Sequence, residues 1–298
     1  MRQRRRTTAA LVLGMLIASL GAQAASAHGG DASDGNGADI NGTRSSEASM
    51  SEAARRQALD RESRQDRSVP ARDAAASPNA IPAPPDGTVF GIDIASPQAG
   101  IDLAMFADGG GEFAIIKQGG GNADDAPYVA PRYAEQLAGA RAAGLPVGHY
   151  WFNGQKLGVE AQAEFFVRTA DIEPGDVIAL DIESEPDTDT RPFTPAEVGR
   201  WIDVVRQSYP GVQVLLYMNR TLMNGSDWSA LTDNPLWIAY WGDDDGDIGQ
   251  EPAIAWWTEW TVWQFTSAAR VPGFDGDVDG DLARADLFTR FGWQPPAT

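Results

Sequence analysis

Hydrophobic and polar positions fall into two textures along the chain. From Thr88 onward, short apolar runs recur at Val89 to Ile92, Phe113 to Ile116, Val147 to Phe152, Val177 to Leu180, Val212 to Tyr217, Leu236 to Tyr240 and Thr261 to Phe265. Runs of this length predict strands buried on both faces. Between them lie stretches with helical spacing: Arg132 to Ala143, closed by Gly144, and Val159 to Thr169, ahead of Pro174. A third helix opens on Thr194-Pro195-Ala196-Glu197, which joins a capping box to a proline at the first helical position. This alternation predicts an α/β fold with a parallel sheet, closed into a barrel or doubly wound. Gly119-Gly120-Gly121 follows a strand but lacks the Lys and Ser/Thr of a phosphate loop, so it reads as a turn, and no dinucleotide fingerprint favours the doubly wound form.

Upstream of Thr88 the pattern disappears. Arg2, Arg4, Arg5 and Arg6 precede an apolar run from Ala9 to Leu20, and Ala25-Ser26-Ala27 offers a small-x-small cleavage site before His28. Residues 1–27 therefore read as a secretory signal peptide, since the run is shorter than the roughly 20 residues of a spanning helix. The expectation is a secreted protein, extracellular or wall-associated, with no membrane contact after cleavage. Residues 28–87 contain no aromatic and end in Ile81-Pro82-Ala83-Pro84-Pro85. Such a segment cannot offset its ordering entropy by burial and reads as a disordered linker, leaving residues 88–298 as one barrel domain.

Composition narrows the function. The 42 acidic residues outnumber 23 basic ones for a net charge of −19, which excludes a protein that binds nucleic-acid backbones. The absence of cysteine excludes a disulfide framework, a thiol nucleophile, a thiolate zinc site, an iron–sulfur cluster and a lipoprotein anchor. Ten Trp, six Tyr and eleven Phe need a core or a stacking groove to hold them.

The sharpest local feature is Val177-Ile178-Ala179-Leu180-Asp181-Ile182-Glu183, an apolar strand ending in two acids spaced i, i+2. Period-two alternation puts both on one face, about 6.5 to 7 Å apart along the strand. At the C-terminal mouth of a parallel barrel, inward carboxyls face the cleft, and neighbouring ones push one pKa upward. One acid then stays protonated while another stays ionised, the arrangement glycoside hydrolysis uses. Solvated acids just past a strand are the better explanation of an isolated D-x-E, but here the design repeats. Asp93 ends the first apolar run, and Asp279 follows Val278 beyond the Trp263 strand. Tyr150, Trp151, Tyr217, Trp237, Tyr240 and Trp263 crowd the same strands, and aromatic walls suit sugar rings.

The stretch from Thr88 to about Ala285 resembles glycoside hydrolase family 25, the Chalaropsis-type lysozymes that cleave peptidoglycan at N-acetylmuramic acid. The resemblance rests on Gly91-Ile92-Asp93-Ile94 with Gln98, Phe113 to Lys117, Ala142 to Tyr150, Leu180 to Glu183, Leu236 to Ala239, Trp263 to Ser267 and Gly276 to Asp279, in matching order and spacing. It implies an irregular TIM-like β/α barrel with helices missing around the last strands, and it places the family's acidic cluster on Asp93, Asp181, Glu183 and Asp279. By the same resemblance Glu183 is the general acid, and Asp181 orients the 2-acetamido group that attacks the anomeric carbon. Direct attack by the Asp181 carboxylate is the competing route. Asp93 and Asp279 set protonation and position the sugar. The implied enzyme acts on bacterial peptidoglycan as a monomer with no cofactor. The sequence departs from the family's usual residues at Ala95, Leu103, Gly119-Gly120, Trp151 and Asp281, where Ser, Trp, Thr-Glu, His and Asn are respectively common.

Two other enzymatic readings and one binding reading compete. A chitin-directed family 18 barrel needs D-x-x-D-x-D-x-E; Asp176, Asp181 and Glu183 fill three of its acids, but Ala179 stands at the fourth. Ser–His–Asp hydrolysis lacks a nucleophile motif around His28 or His149. A non-catalytic glycan-binding barrel would tolerate amides where four carboxylates are present. Asp275-Gly276-Asp277-Val278-Asp279-Gly280, with Asp286 at the twelfth place, fits a Ca2+-loop template with Asp for the terminal Glu, although no preceding helix is evident.

Residues 88–298 carry 32 acids against 12 bases, a net of −20, and many bacterial walls are polyanionic. Long-range repulsion slows encounter at low salt. Wall lysis is therefore expected to rise with added salt or at mildly acid pH; a fall in lysis rate from low to moderate ionic strength contradicts this.

Overall fold

A computed structural model describes residues 80–121, 127–155, 157–184 and 190–296. The signal-peptide assignment and nearly all of the linker assignment lie outside these residues. Of the remainder of the linker, Ile81 packs against the core, and Thr88 N–H donates to the Pro85 carbonyl at 3.0 Å.

Among the described residues nine strands form one sheet: β1 (Thr88–Ile94), β2 (Phe113–Gly120), β3 (Tyr128–Val129), β4 (Val147–Phe152), β5 (Val177–Asp181), β6 (Leu215–Asn219), β7 (Leu236–Ala239), β8 (Val262–Ala269) and β9 (Val278–Arg284). Their order is β1-β9-β8-β7-β6-β5-β4-β2-β3, and β1 also pairs with β2, so all but the short β3 close into an eight-stranded barrel. Neighbours around the barrel are parallel except at β9, which runs antiparallel to both β1 and β8. The described helices are α1 (Leu103–Asp108), α2 (Tyr133–Ala142), α3 (Val159–Thr169), α4 (Pro195–Ser208), α5 (Arg220–Gly225) and α6 (Leu287–Phe291). No helix lies between β7 and β8 or between β8 and β9. This is the irregular β/α barrel expected from the sequence.

Local chemistry explains the helix starts. Asp102 caps α1, its Oδ1 accepting from the Ala104 and Met105 N–H groups at 3.0 Å. Thr194 and Glu197 form the anticipated capping box, with Pro195 at the first turn of α4. Arg191 also grips Glu197 at 2.7 and 2.8 Å, and this contact more than offsets burial to bring the Glu197 carboxyl down to about 2.

Alternation along the strands makes two cores. Inward residues such as Phe113, Ile115, Val177, Ala179, Leu215 and Val262 fill the barrel, joined by Leu287 and Phe291 of α6. Outward residues such as Ile178, Leu180, Leu216 and Ile238 pack under the helices with Phe166, Val198, Trp201 and Ile202. A polar set lies in that outer layer: His149 is fully buried between the Tyr133 hydroxyl at 2.8 Å and Asp176 Oδ2 at 2.9 Å. The Tyr133 oxygen also accepts from the Asp171 N–H at 2.9 Å, so this hydroxyl ties His149 to the start of the loop ahead of β5. Burial pushes the Asp176 carboxyl up, but His149, the Glu173 N–H and Arg141 together hold it below its usual value.

Three sequence expectations need correction. Gly119 and Gly120 continue β2 rather than turning, and a Cβ at Gly119 would collide with the Tyr128 carbonyl, so glycine is required by close approach and not by φ. The strand expected from Val212 begins only at Leu215, because the Val214 N–H is taken by Asn234 Oδ1 at 3.0 Å. The Asp275 to Asp286 template falls largely on β9, and an extended strand is not the loop the calcium template requires.

Candidate active site

Parity decides which side chains meet. On β5, Val177 and Ala179 face inward, so Asp181 does too, and Glu183 continues the same face just past the strand end. The same rule turns inward Asp93 on β1, Lys117 on β2, Tyr150 and Phe152 on β4, Tyr217 on β6, Trp237 on β7, Gln264 on β8 and Asp279 on β9. These ten residues line one cavity of about 130 Å³. It sits at the C-terminal ends of the parallel strands, the end at which barrels of this kind place their chemistry. Antiparallel β9 brings Asp279 into register opposite Asp93.

Fixed hydrogen bonds support the walls. Gln264 is buried, and its Oε1 accepts from the Tyr217 hydroxyl and Trp241 Nε1, both at 2.9 Å. Those two donors orient the amide so that Nε2 donates to Asp93 Oδ2 at 2.7 Å. Trp237 packs edge-on to Tyr217 with centroids 4.7 Å apart and to Tyr150 at 6.2 Å, and its Nε1 donates to Asp281 Oδ1 at 2.8 Å. Asn153, buried just past β4, clamps the Glu183 backbone: its Oδ1 accepts from the Glu183 N–H at 3.0 Å and its Nδ2 donates to the Glu183 carbonyl at 2.9 Å. The Lys117 ammonium lies 4.6 Å from the Phe152 ring centroid and 5.7 Å from that of Tyr150.

Electrostatics follow from this crowding. Burial pushes Asp93 up to about 6 against the hydrogen bond from Gln264, which favours its ionised form. Asp181 rises well above the usual carboxylate range, first by burial and then by the charge of Glu183, with Lys117 opposing. Asp279 rises too, by burial and the charge of Asp93. The Tyr150 and Tyr217 hydroxyls are held well above their ordinary value, chiefly by burial, so both remain neutral at the barrel mouth. A cluster of this kind titrates as a unit and holds protons at a pH where isolated carboxyls have lost them.

The sequence profile of glycosyl hydrolases family 25 matches residues 92–274. The chain belongs to that family. Lysozyme M1 of Streptomyces globisporus is 27% identical over 206 residues, which span 64% of this chain and 66% of that protein. N,O-diacetylmuramidase of Chalaropsis sp is 28% identical over 217 residues, spanning 65% of this chain and 96% of that protein. Among solved structures, the bacterial lysozyme of Streptomyces coelicolor superposes with a TM-score of 0.55 at 25% identity over 65% of this chain and 90% of that one. The fold is thus that of a family 25 glycoside hydrolase.

In this family 25 enzyme the four acids singled out from the sequence, Asp93, Asp181, Glu183 and Asp279, converge on the cavity, and Tyr150, Tyr217 and Trp237 join them. Trp151, Tyr240 and Trp263 do not line it. Trp151 alternates with Tyr150 and so turns outward, its Nε1 donating to Gln162 Oε1 at 3.3 Å. Trp263 likewise alternates with Gln264 and donates to the Tyr240 carbonyl at 2.8 Å, while the Tyr240 ring lies 4.8 Å from the Arg220 guanidinium. Asp176, which the chitin-directed reading required, has outward parity and is bound to His149. Sequence reasoning missed Lys117 and Gln264 as lining residues, and Asn153 and Asp281 as the groups outside the lining that hold the Glu183 backbone and the Trp237 indole. Lys117 and Gln264 stand inside apolar strand runs, and a lone polar residue on the inward parity is the signal that marks them.

Removing the Gln264 donor raises the Asp93 carboxyl above about 6, because the lost bond favours the ionised form. Gln264→Leu is therefore expected to move the acid limb of the kcat/KM profile to higher pH; an acid limb that stays in place contradicts the assigned bond.

Proposed function

We propose that this enzyme is a secreted muramidase, hydrolysing the bond between N-acetylmuramic acid and N-acetylglucosamine in bacterial peptidoglycan with Glu183 as general acid. The observation that carries the reading is the placement of Glu183 at the rim, partly exposed, directly above the buried Asp181 in one aromatic-walled cavity. A general acid must reach a glycosidic oxygen arriving from solvent, and Glu183 stands where Asp181 does not. The names of the relatives, a lysozyme and an N,O-diacetylmuramidase, support the substrate.

In this mechanism the proton moves from Glu183 to the glycosidic oxygen as the C1–O bond breaks. The charge of Glu183 is the second cause of the rise in Asp181, so a proton on Glu183 favours ionised Asp181, with Lys117 pulling the same way. Ionised Asp181 then accepts a hydrogen bond from the acetamido N–H, which turns the acetamido carbonyl oxygen onto the anomeric carbon as the bond opens. Water later attacks that carbon as its bond to the acetamido oxygen breaks and the acetamido group re-forms, and Glu183, now ionised, takes the water's proton. Asp93 and Asp279 form the floor that fixes sugar position, and Tyr217 and Trp237 supply the apolar wall.

The test is reducing-end release from purified peptidoglycan with mass spectrometry of the products. The parent is expected to create N-acetylmuramic acid reducing ends, and Glu183→Gln to lose about 10²- to 10⁴-fold in kcat, the range for a general acid. N-acetylglucosamine reducing ends, cleavage of chitin alone, or glycan binding without cleavage by the folded parent would each overturn the proposal.

A further inference from the structure

Asp281 lies below the proposed catalytic carboxyls and is not itself part of the cavity lining. It is fully buried on β9, paired opposite Gly91 of β1 and Gln264 of β8. Its Oδ1 accepts from Trp237 Nε1 at 2.8 Å, whereas its Oδ2 is buried with no donor among the described residues. The Asp93 carboxyl is its diagonal neighbour on the inward face of the β1–β9 pair, one step of two residues along the register, and each acid bears on the titration of the other. Two ionised carboxylates have acceptors only and cannot bond; one proton between them satisfies the orphaned oxygen.

We propose that Asp281 is a positioning residue that keeps a proton on Oδ2 and donates it to Asp93, so that the pair carries one negative charge while Asp281 also tethers the Trp237 wall. The other acid is the one suited to carry that charge, since Asp93 has the Gln264 amide at 2.7 Å and the attraction of Lys117. Asp281 has the Trp237 indole, and burial followed by the charge of Asp93 pushes it well above the usual carboxylate range. Asp279 faces it from its own strand, and Asp181 and Glu183 bear on the same cluster from β5, all of the sign that keeps a proton in place. The Tyr150 and Tyr217 hydroxyls stay neutral and add no charge. Asp281 touches no substrate in this account. It acts through Asp93 and Trp237, and it rests on the glycosidase reading given above.

The test compares the full chain with Asp281→Asn and Asp281→Leu. An Asn amide donates to Asp93 and accepts from Trp237 without titrating; Leu does neither. In an unfolded chain Asp ionises near pH 4, so between that pH and its raised native pKa the folded parent holds a proton the unfolded chain lacks, and its stability falls as pH rises. Asp281→Asn is free of that loss. Its Tm is expected to match the parent near pH 3 and to exceed it by a margin that widens as pH rises. On peptidoglycan at pH 6 it should keep kcat within about threefold, while Asp281→Leu, if folded, loses about tenfold or more, the scale of one buried hydrogen bond. A Tm difference for Asp281→Asn that does not change with pH, or a loss of kcat in Asp281→Asn as large as in Asp281→Leu, overturns the proposal. If the parent itself releases no reducing ends, the muramidase reading fails while the stability curves still decide whether Asp281 holds the proton.

Discussion

Buried negative charge is the constraint on which the rest of this molecule depends. Asp93, Asp181, Asp279 and Asp281 are drawn into the mouth of a closed barrel, with Glu183 at the rim and Lys117 as the cation among the lining residues. Like charges at such spacing in low dielectric cannot all ionise, so the cluster shares protons. That sharing costs native stability at neutral pH, where an unfolded chain would release them, and the two hydrophobic cores of the barrel must offset it. In return the site holds a proton donor and ionised acceptors side by side, which bond cleavage between two sugars needs.

The antiparallel β9 is what makes the cluster possible. A parallel strand reaches the mouth with its C-terminal end, whereas β9 enters it with its N-terminal end. Running the other way between β8 and β1, β9 sets Asp279 across from Asp93 and Asp281 one inward step deeper. The omission of helices around the last strands belongs to the same design, since the antiparallel link from β8 needs no crossover. Trp241, carried on the helix-free link after β7, instead reaches back to fix Gln264.

Much of this was legible in the sequence, and the reasons are specific. The strands of the parallel half are continuous apolar runs because both of their faces are covered, and the acids at their ends stand out against that background. Asp181 and Glu183 were readable as a pair because period two is a rigid rule. The same rule, applied to Tyr150-Trp151 and to Trp263-Gln264, shows that adjacent aromatics cannot share a face; counting aromatics near strand ends does not carry that information. β9 was hidden because its inward face is acidic and Gly280 stands on its other face, so its residues carry a turn-like composition while forming a strand. Asn153 was hidden for another reason: its role is to hold the Glu183 main chain, a partner 30 residues away that no local pattern names.

The account's central claim is that Glu183 meets the glycosidic oxygen while the buried acids beneath hold the sugar. The measurement that tests it most directly is a crystal structure of the Glu183→Gln protein with a tetrasaccharide of alternating N-acetylglucosamine and N-acetylmuramic acid. The account predicts the scissile oxygen within hydrogen-bonding distance of the amide at position 183 and the acetamido group of the adjoining N-acetylmuramic acid against Asp181. A glycan seated elsewhere on the barrel, or crossing the mouth with its acetamido group turned away from Asp181, would contradict it.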